Sequence, residues 1–185
     1  MESNLKNLFD FSDTPVWFMR QAGRYMTEYN SIKKDFNSFF DMCRNVNAVK
    51  EITMLPIKKF NFDAGIIFSD ILIILETLNV EVDFIPTKGP TVKNDNLFEI
   101  INSGLVNINY EKLNPVYQSI KEVKKLMKNY KKPLIGFSGA PWTVAAYLVE
   151  GNITKDLMLV KEMAYKEPTF MDKIINLLTD IIIEH

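Results

Sequence analysis

Apolar and polar positions alternate in blocks along the chain. Residues 15–19, PVWFM, form an apolar run that turns polar at Arg20 and reads as a short buried strand. Asn45 or Asn47 stands ready to cap a helix carrying Val49, Ile52, Leu55 and Phe60. Pro56 lies inside that helical pattern and is expected to kink it or stop it early. FDAGIIFSD, 62–70, is apolar through Ile66, Ile67 and Phe68 and polar at Ser69 and Asp70, the pattern of a second buried strand with a polar end. Leu72 to Leu78 reads as a short helical turn, VEVDFI as a strand, and PTKGPTVKND, 86–95, as a loop by its Pro and Gly content. From about 111 to 131, Val116, Ile120, Val123, Met127 and Tyr130 keep helical spacing with lysines on the other face, and Pro133 ends the element. PLIGFSGAPW gives a strand and a Gly-Ala-Pro turn. A last helix spans 168–183, with Phe170, Ile174, Leu177, Leu178 and Ile181 inward.

Strands that are apolar on both faces and alternate with helices imply an α/β fold. Its parallel sheet would be covered by helices, either doubly wound or closed into a barrel. In both architectures the chemistry sits at the C-terminal ends of the strands. Arg20, Asp70 and the GFSGAPW turn all fall at such ends.

Composition narrows the class. The chain has 185 residues, 47% hydrophobic and 24% charged, which fits one globular domain. A formal net charge of −1 gives no global attraction for polyanions such as DNA, so any anion recognition must be local. Cys43 is the single cysteine, which rules out an internal disulfide and suits a reducing, cytoplasmic setting. MESNLKNLFDFSD does not read as a targeting sequence, and no apolar run is long enough for a membrane span. The chain closes on LLTDIIIEH, an apolar turn without a stop signal, from which a continuation is expected.

The chemistry then becomes specific. Arg20 and Arg24, set around Gln21 and Gly23, deliver two guanidinium groups to the end of one strand. The planar guanidinium fork bonds carboxylates bidentately and keeps its charge. The bland alternative is a pair of surface arginines. Asp70, after an apolar strand, is by spacing alone more simply a helix N-cap than a functional carboxylate. Tyr147 reads as a core tyrosine on the helix after GAPW. Lys124, Lys125, Lys128, Lys131 and Lys132 form a solvated helix face rather than a nucleic-acid surface. Cys43 beside Arg44 reads as structural, His185 as too close to a terminus for a catalytic base, and no metal-ligand cluster is recognisable.

PVWFMRQAGRY, FSDIL and GFSGAPWTVAAYLVEG, in that order, resemble the N-terminal half of the uroporphyrinogen decarboxylase family from about residue 5 to the end. The resemblance implies a (β/α)8 TIM barrel, here only about its first half, as a single partial domain over 1–185. It implies decarboxylation of the four acetate side chains of uroporphyrinogen III, giving coproporphyrinogen III, without cofactor or metal. Its implied partner is the tetrapyrrole substrate, with a homodimer for full-length members, a separate C-terminal half for this chain, and no nucleic acid or membrane. Arg20, Gln21, Ala22, Gly23 and Arg24 match the family's substrate-binding loop, Asp70 its central aspartate, and Tyr147 an active-site tyrosine. Arg20 and Asp70 are the catalytic candidates. A guanidinium with a pKa above about 12 is nonetheless a poor proton donor.

Two departures stand out. Asn30 and Lys33 occupy positions where the family carries further arginines. A barrel of this type needs about 250 residues, and the family's later serine or threonine and histidine have no counterpart here. Half a barrel would leave sheet edges unpaired. The alternative is therefore a non-catalytic remnant or tetrapyrrole-binding fragment. The related zinc-using cobalamin methyltransferases are disfavoured by the complete MRQAGRY loop and the FSD aspartate.

Overall fold

A computed structural model describes residues 14–85, 89–94, 96–152 and 154–185. In chain order the elements are α1 (Thr27–Lys33), α2 (Phe39–Arg44), α3 (Val46–Phe60), β1 (Gly65–Ile66), a 3-10 turn (Ile73–Leu78), β2 (Glu81–Ile85), β3 (Gly89–Lys93), α4 (Leu97–Ser103), a second 3-10 turn (Tyr110–Leu113), α5 (Asn114–Asn129), β4 (Leu134–Ile135), α6 (Pro141–Glu150), α7 (Met158–Lys166) and α8 (Pro168–Glu184). They divide into two compact units, Met1–Ser69 with Pro115–Phe137, and Asp70–Asn114 with Ser138–His185.

The first unit is built on α3. The side chain of Asn45 accepts from the N–H of Ala48 at 2.9 Å, satisfying one of the donors that a helix start leaves open. Pro56 neither stops the helix nor shortens it: α3 runs to Phe60 and ends at Asn61, which turns left-handed at φ 55°. The end is held by Lys132, whose ammonium donates to the Asn61 carbonyl (2.8 Å), the Asn61 side chain (2.7 Å) and the Phe62 carbonyl (2.5 Å). A cation is favoured at a helix C-terminus, where carbonyls lack intrahelical partners. One face of α3 packs Val49, Met54 and Ile57 with Ile67, Val123 and Met127. Ala48 and Ile52 join Met26, Tyr29 and Met42 in a second cluster. The α5 stripe holds at Val116, Val123 and Met127, which are buried. Tyr130 leaves it: α5 ends at Asn129, Lys131 turns left-handed at φ 54°, and the ring is exposed.

β1 pairs in parallel with β4, Gly65 against Leu134 and Ile66 against Ile135. Both strands are two residues long, shorter than the apolar runs 62–70 and 134–137 suggest. The larger correction concerns 15–19. These residues form no strand, and Val16, Trp17, Phe18 and Met19 are exposed, Met19 at 81%. The reason lies in how the neighbouring edge of β1 is satisfied. Among the described residues Val16 hydrogen-bonds Asp63 alone, through the Asp63 N–H to its carbonyl (3.0 Å) and its own N–H to the Asp63 carboxylate (2.7 Å). Further along, a side chain, that of Gln21, takes the place a paired strand would fill.

The second unit carries an antiparallel hairpin, β2 with β3, in register from Glu81↔Lys93 to Ile85↔Gly89. Its presence corrects the loop reading of 86–95: residues 89–93 are strand, while 86–88 and 95 lie outside the described residues. A Pro- and Gly-rich window cannot show that β2 offers a ladder to it, or that the Gly151 carbonyl accepts from Val92 at 2.5 Å. The helical turn and the strand before it are as expected. α8 also stands as read, with Ile174, Leu178 and Ile181 buried. Phe170 is partly covered, edge-on to Phe98 at 5.9 Å. A buried carboxylate joins α6 to α7: Glu150 accepts from the Val160 N–H and the Thr154 hydroxyl, each at 3.0 Å. Among the described residues there is one parallel pair and one hairpin, without a closed barrel. No described helix is long and apolar enough to cross a membrane.

Asn45→Ala is expected to destabilise the protein by about 1 kcal/mol, the usual cost of a lost N-cap. Urea unfolding followed by circular dichroism checks this, and an unchanged midpoint would show the cap to be idle.

Candidate active site

The Arg20–Arg24 loop leaves the irregular 14–19 segment and leads into α1. Gln21 anchors it and is 5% exposed. Its amide nitrogen donates to the Ala64 carbonyl at 2.7 Å, and its amide oxygen accepts from the Ile66 N–H at 3.1 Å. Gly65 and Ile67 bond the other way, to the Pro133 and Ile135 carbonyls beside them. One edge of β1 thus meets β4 and the other meets a primary amide. An amide carries a donor and an acceptor at about the spacing of a peptide group, which lets it complete a ladder. Both polar ends of the Gln21 side chain are committed to β1.

The remainder of the loop closes on itself. The Tyr25 hydroxyl donates to the Gln21 carbonyl. The Met26 N–H donates to the Gly23 carbonyl at 2.9 Å. The Asn30 side chain donates to the Arg24 carbonyl at 2.7 Å. Arg20 and Arg24 are exposed, and among the described residues neither is in an ion pair. Two exposed guanidinium groups on an anchored loop have the chemistry to bond carboxylates bidentately. Ala22 packs against the Met26 cluster. At Gly23 an added Cβ would touch only the Tyr25 ring, at 3.8 Å, and the backbone is not left-handed. Nothing in the surrounding protein requires glycine there.

Asp70 and Tyr147 belong to the second unit. Asp70 opens the turn before Ile73–Leu78, and its carboxylate accepts from the Leu72 N–H at 2.8 Å. This is an Asx-type turn rather than the N-cap read from spacing, since the Ile73–Leu78 turn has Leu72 as its N-cap with no side-chain bond; it engages one carboxylate oxygen. Burial pushes the Asp70 carboxyl above the ordinary aspartate value, and the Leu72 N–H partly offsets this. Tyr147, half-buried on α6, has its phenol raised by burial and then by the negative charge of Asp70. The structure thus brings Asp70 and Tyr147 within each other's field. Gly139, at the start of the same turn-and-helix, is close-packed: a Cβ would lie 2.7 Å from Val144 and 3.1 Å from Ile71, next to Asp70.

The family model for uroporphyrinogen decarboxylase (URO-D) matches residues 10–185. The chain belongs to this family. The uroporphyrinogen decarboxylase of Rickettsia rickettsii (strain Sheila Smith) is 41% identical over 171 residues, covering 92% of this chain and 49% of the relative. That of Rickettsia bellii (strain RML369-C) is 40% identical, covering 92% and 50%. The chain spans about half the length of these curated relatives. Among solved structures, a methyltransferase from Methanosarcina mazei superposes with a TM-score of 0.64 at 15% identity, covering 90% of this chain and 48% of that one. That likeness speaks for the fold alone. The family is a TIM-barrel family, and the described residues hold part of such a fold.

Sequence reasoning missed the part played by Asn30, which it treated only as a lost arginine, and by Tyr25. Their separations from the loop, six and four residues, are those of loop-closing bonds. The partners of Gln21, more than forty residues away, left no local signal.

Two outcomes follow. A carboxyl with a raised folded-state pKa contributes stability that is full below its unfolded pKa and lost as pH rises through the folded one. Asp70→Asn is thus expected to be more stable than wild type at pH 7, with the gap closing as pH falls toward about 4. Denaturation at both pH values checks this. Gly23→Ala is expected to leave stability unchanged or raise it by about 0.4–1 kcal/mol, because the site has room and an ordinary backbone; a lowered melting temperature would contradict it.

Proposed function

We propose that this chain supplies the substrate-clamping half of a uroporphyrinogen decarboxylase, acting on uroporphyrinogen III to replace its four acetate groups by methyl groups in the cytoplasm. The observation that carries this reading is the Arg20–Arg24 loop, which offers two exposed guanidinium groups, without an ion pair among the described residues, within a chain of this family. Arg20 and Arg24 bind acetate or propionate carboxylates of the substrate, and Gly23 lets the backbone come close to it.

Loss of carbon dioxide leaves an electron pair that needs a sink. Protonation of the pyrrole bearing the acetate makes the ring cationic. The pair released from the breaking C–C bond flows into that ring. A proton then adds at the former acetate carbon to give the methyl group, and loss of the first proton restores the pyrrole. Asp70, as a carboxylate, accepts hydrogen bonds from inward pyrrole N–H groups and stabilises the cation. Tyr147 contributes a hydroxyl on the side of Asp70. The raised pKa of Asp70 in the unliganded protein suits this role: pyrrole N–H donors and the protonated ring restore the ionised form.

A second reading is a tetrapyrrole-binding fragment without turnover; the chain spans about half the length of the relatives it matches. The exposed apolar run Val16–Met19 supports a proposal that joins the two. A polypeptide corresponding to the other half of the relatives completes the working enzyme, which as a whole is a homodimer.

Incubation with uroporphyrinogen III under reducing conditions, followed by separation of porphyrins by carboxylate number, tests this. The chain mixed with the second half of the Rickettsia rickettsii relative is expected to yield seven-carboxylate and then four-carboxylate products. Asp70→Asn is expected to abolish them while remaining folded. Near-normal turnover by that variant would remove Asp70 from the mechanism, and binding without product from the mixture would leave the fragment reading.

A further inference from the structure

The hydrogen bonds of the arginine loop are sorted by type. The carbonyls of Gln21, Gly23 and Arg24 are all engaged from inside the unit, by the Tyr25 hydroxyl, the Met26 N–H and the Asn30 amide. None of the described hydrogen bonds uses the backbone N–H groups of Gln21, Ala22, Gly23 or Arg24. Three of the five loop carbonyls are thus engaged, while no described bond occupies those four N–H groups, so the loop is weighted toward donors. Carbonyl oxygens left facing a carboxylate would repel it, and turning them inward removes that cost.

We propose that Gln21 and Asn30 are positioning residues that hold the Arg20–Arg24 loop as a donor-weighted receptor for carboxylates, Gln21 by fixing the loop to β1 and Asn30 by holding the Arg24 carbonyl inward. Asn30 then has a purpose of its own where other members of the family carry a charge. It trades one guanidinium at the rim for a loop closed at its far end. Gln21 works through both ends of its amide, so neither an apolar isostere nor an ionised carboxylate replaces it. In Gln21→Glu, one oxygen still accepts from Ile66, while the other faces the Ala64 carbonyl and repels it unless protonated. This inference rests on the reading that the loop receives substrate carboxylates.

The test uses the 185-residue chain, its Gln21→Leu, Gln21→Glu and Asn30→Ala variants, and two readouts. Hydrogen exchange of loop amides 20–26 is expected to quicken about tenfold in Gln21→Leu and Asn30→Ala, the effect of one lost hydrogen bond, while α3 and α5 amides keep their protection. Calorimetric titration with uroporphyrinogen III is expected to show about tenfold weaker binding for both variants, at an unchanged urea midpoint for Asn30→Ala. Gln21→Glu is expected to approach wild-type affinity at acid pH and to lose it relative to wild type as pH rises. Unchanged loop exchange in Asn30→Ala, or wild-type affinity in both variants, overturns the positioning role. If Gln21→Leu loosens α3 and α5 as well, Asn30→Ala decides alone. Failure of wild type itself to bind uroporphyrinogen III counts against the proposed function, and the exchange data then judge the positioning role separately.

Discussion

A single primary amide holds the arginine loop in place. Gln21 gives β1 the donor and acceptor that a neighbouring strand would otherwise provide. β1 therefore has partners on both edges, β4 on one side and a side chain on the other. Buried backbone groups must be paired somewhere, and the chain meets that requirement with the residue between its candidate ligands. The structural demand of the strand and the chemical demand of the loop fall on the same five residues. Arg20 and Arg24 stay outward because Gln21 points inward.

The supporting elements follow from that anchor. β1 can be so short because α3 and α5 bury its neighbours Ile67, Val123 and Met127 against Val49 and Ile57. Asn45 starts α3 and Lys132 secures its end, so the helix that backs β1 is fixed at both termini despite Pro56. In the second unit, Glu150 does comparable work. Its buried carboxylate takes the Val160 N–H near the start of α7, so α6, which carries Tyr147, is fixed to the helix that follows.

Asp70 illustrates a tension between stability and function. Its carboxylate is buried with one backbone donor, which leaves the charged form poorly compensated in the unliganded protein. Such a residue costs stability at neutral pH. A ligand bearing N–H groups and developing positive charge would restore what burial removes. Gly23 carries the same implication by a different route, since no packing or backbone constraint within the protein accounts for the missing side chain.

The amino-acid sequence by itself determined the elements with strong local patterns. α3 with a cap at Asn45 or Asn47, the Ile73–Leu78 turn, β2, α5 and α8 follow from periodicity and end signals, and MRQAGRY with FSD was enough to point to the family. Short-range chemistry explains this, because caps and helical stripes act within a few residues. Tertiary structure decided what depends on distant partners. It turned the apolar run 15–19 into an exposed segment, because Asp63 and Gln21 occupy the edge on which a strand would have paired. It made 89–93 a strand, because β2 and Gly151 supply its ladder. It also separated exposed from anchored residues within one motif, leaving Arg20 and Arg24 exposed while Gln21 bonds to backbone more than forty residues away. No local rule carries that information, since the sequence names the amide while only the fold shows which carbonyl and which N–H come within its reach.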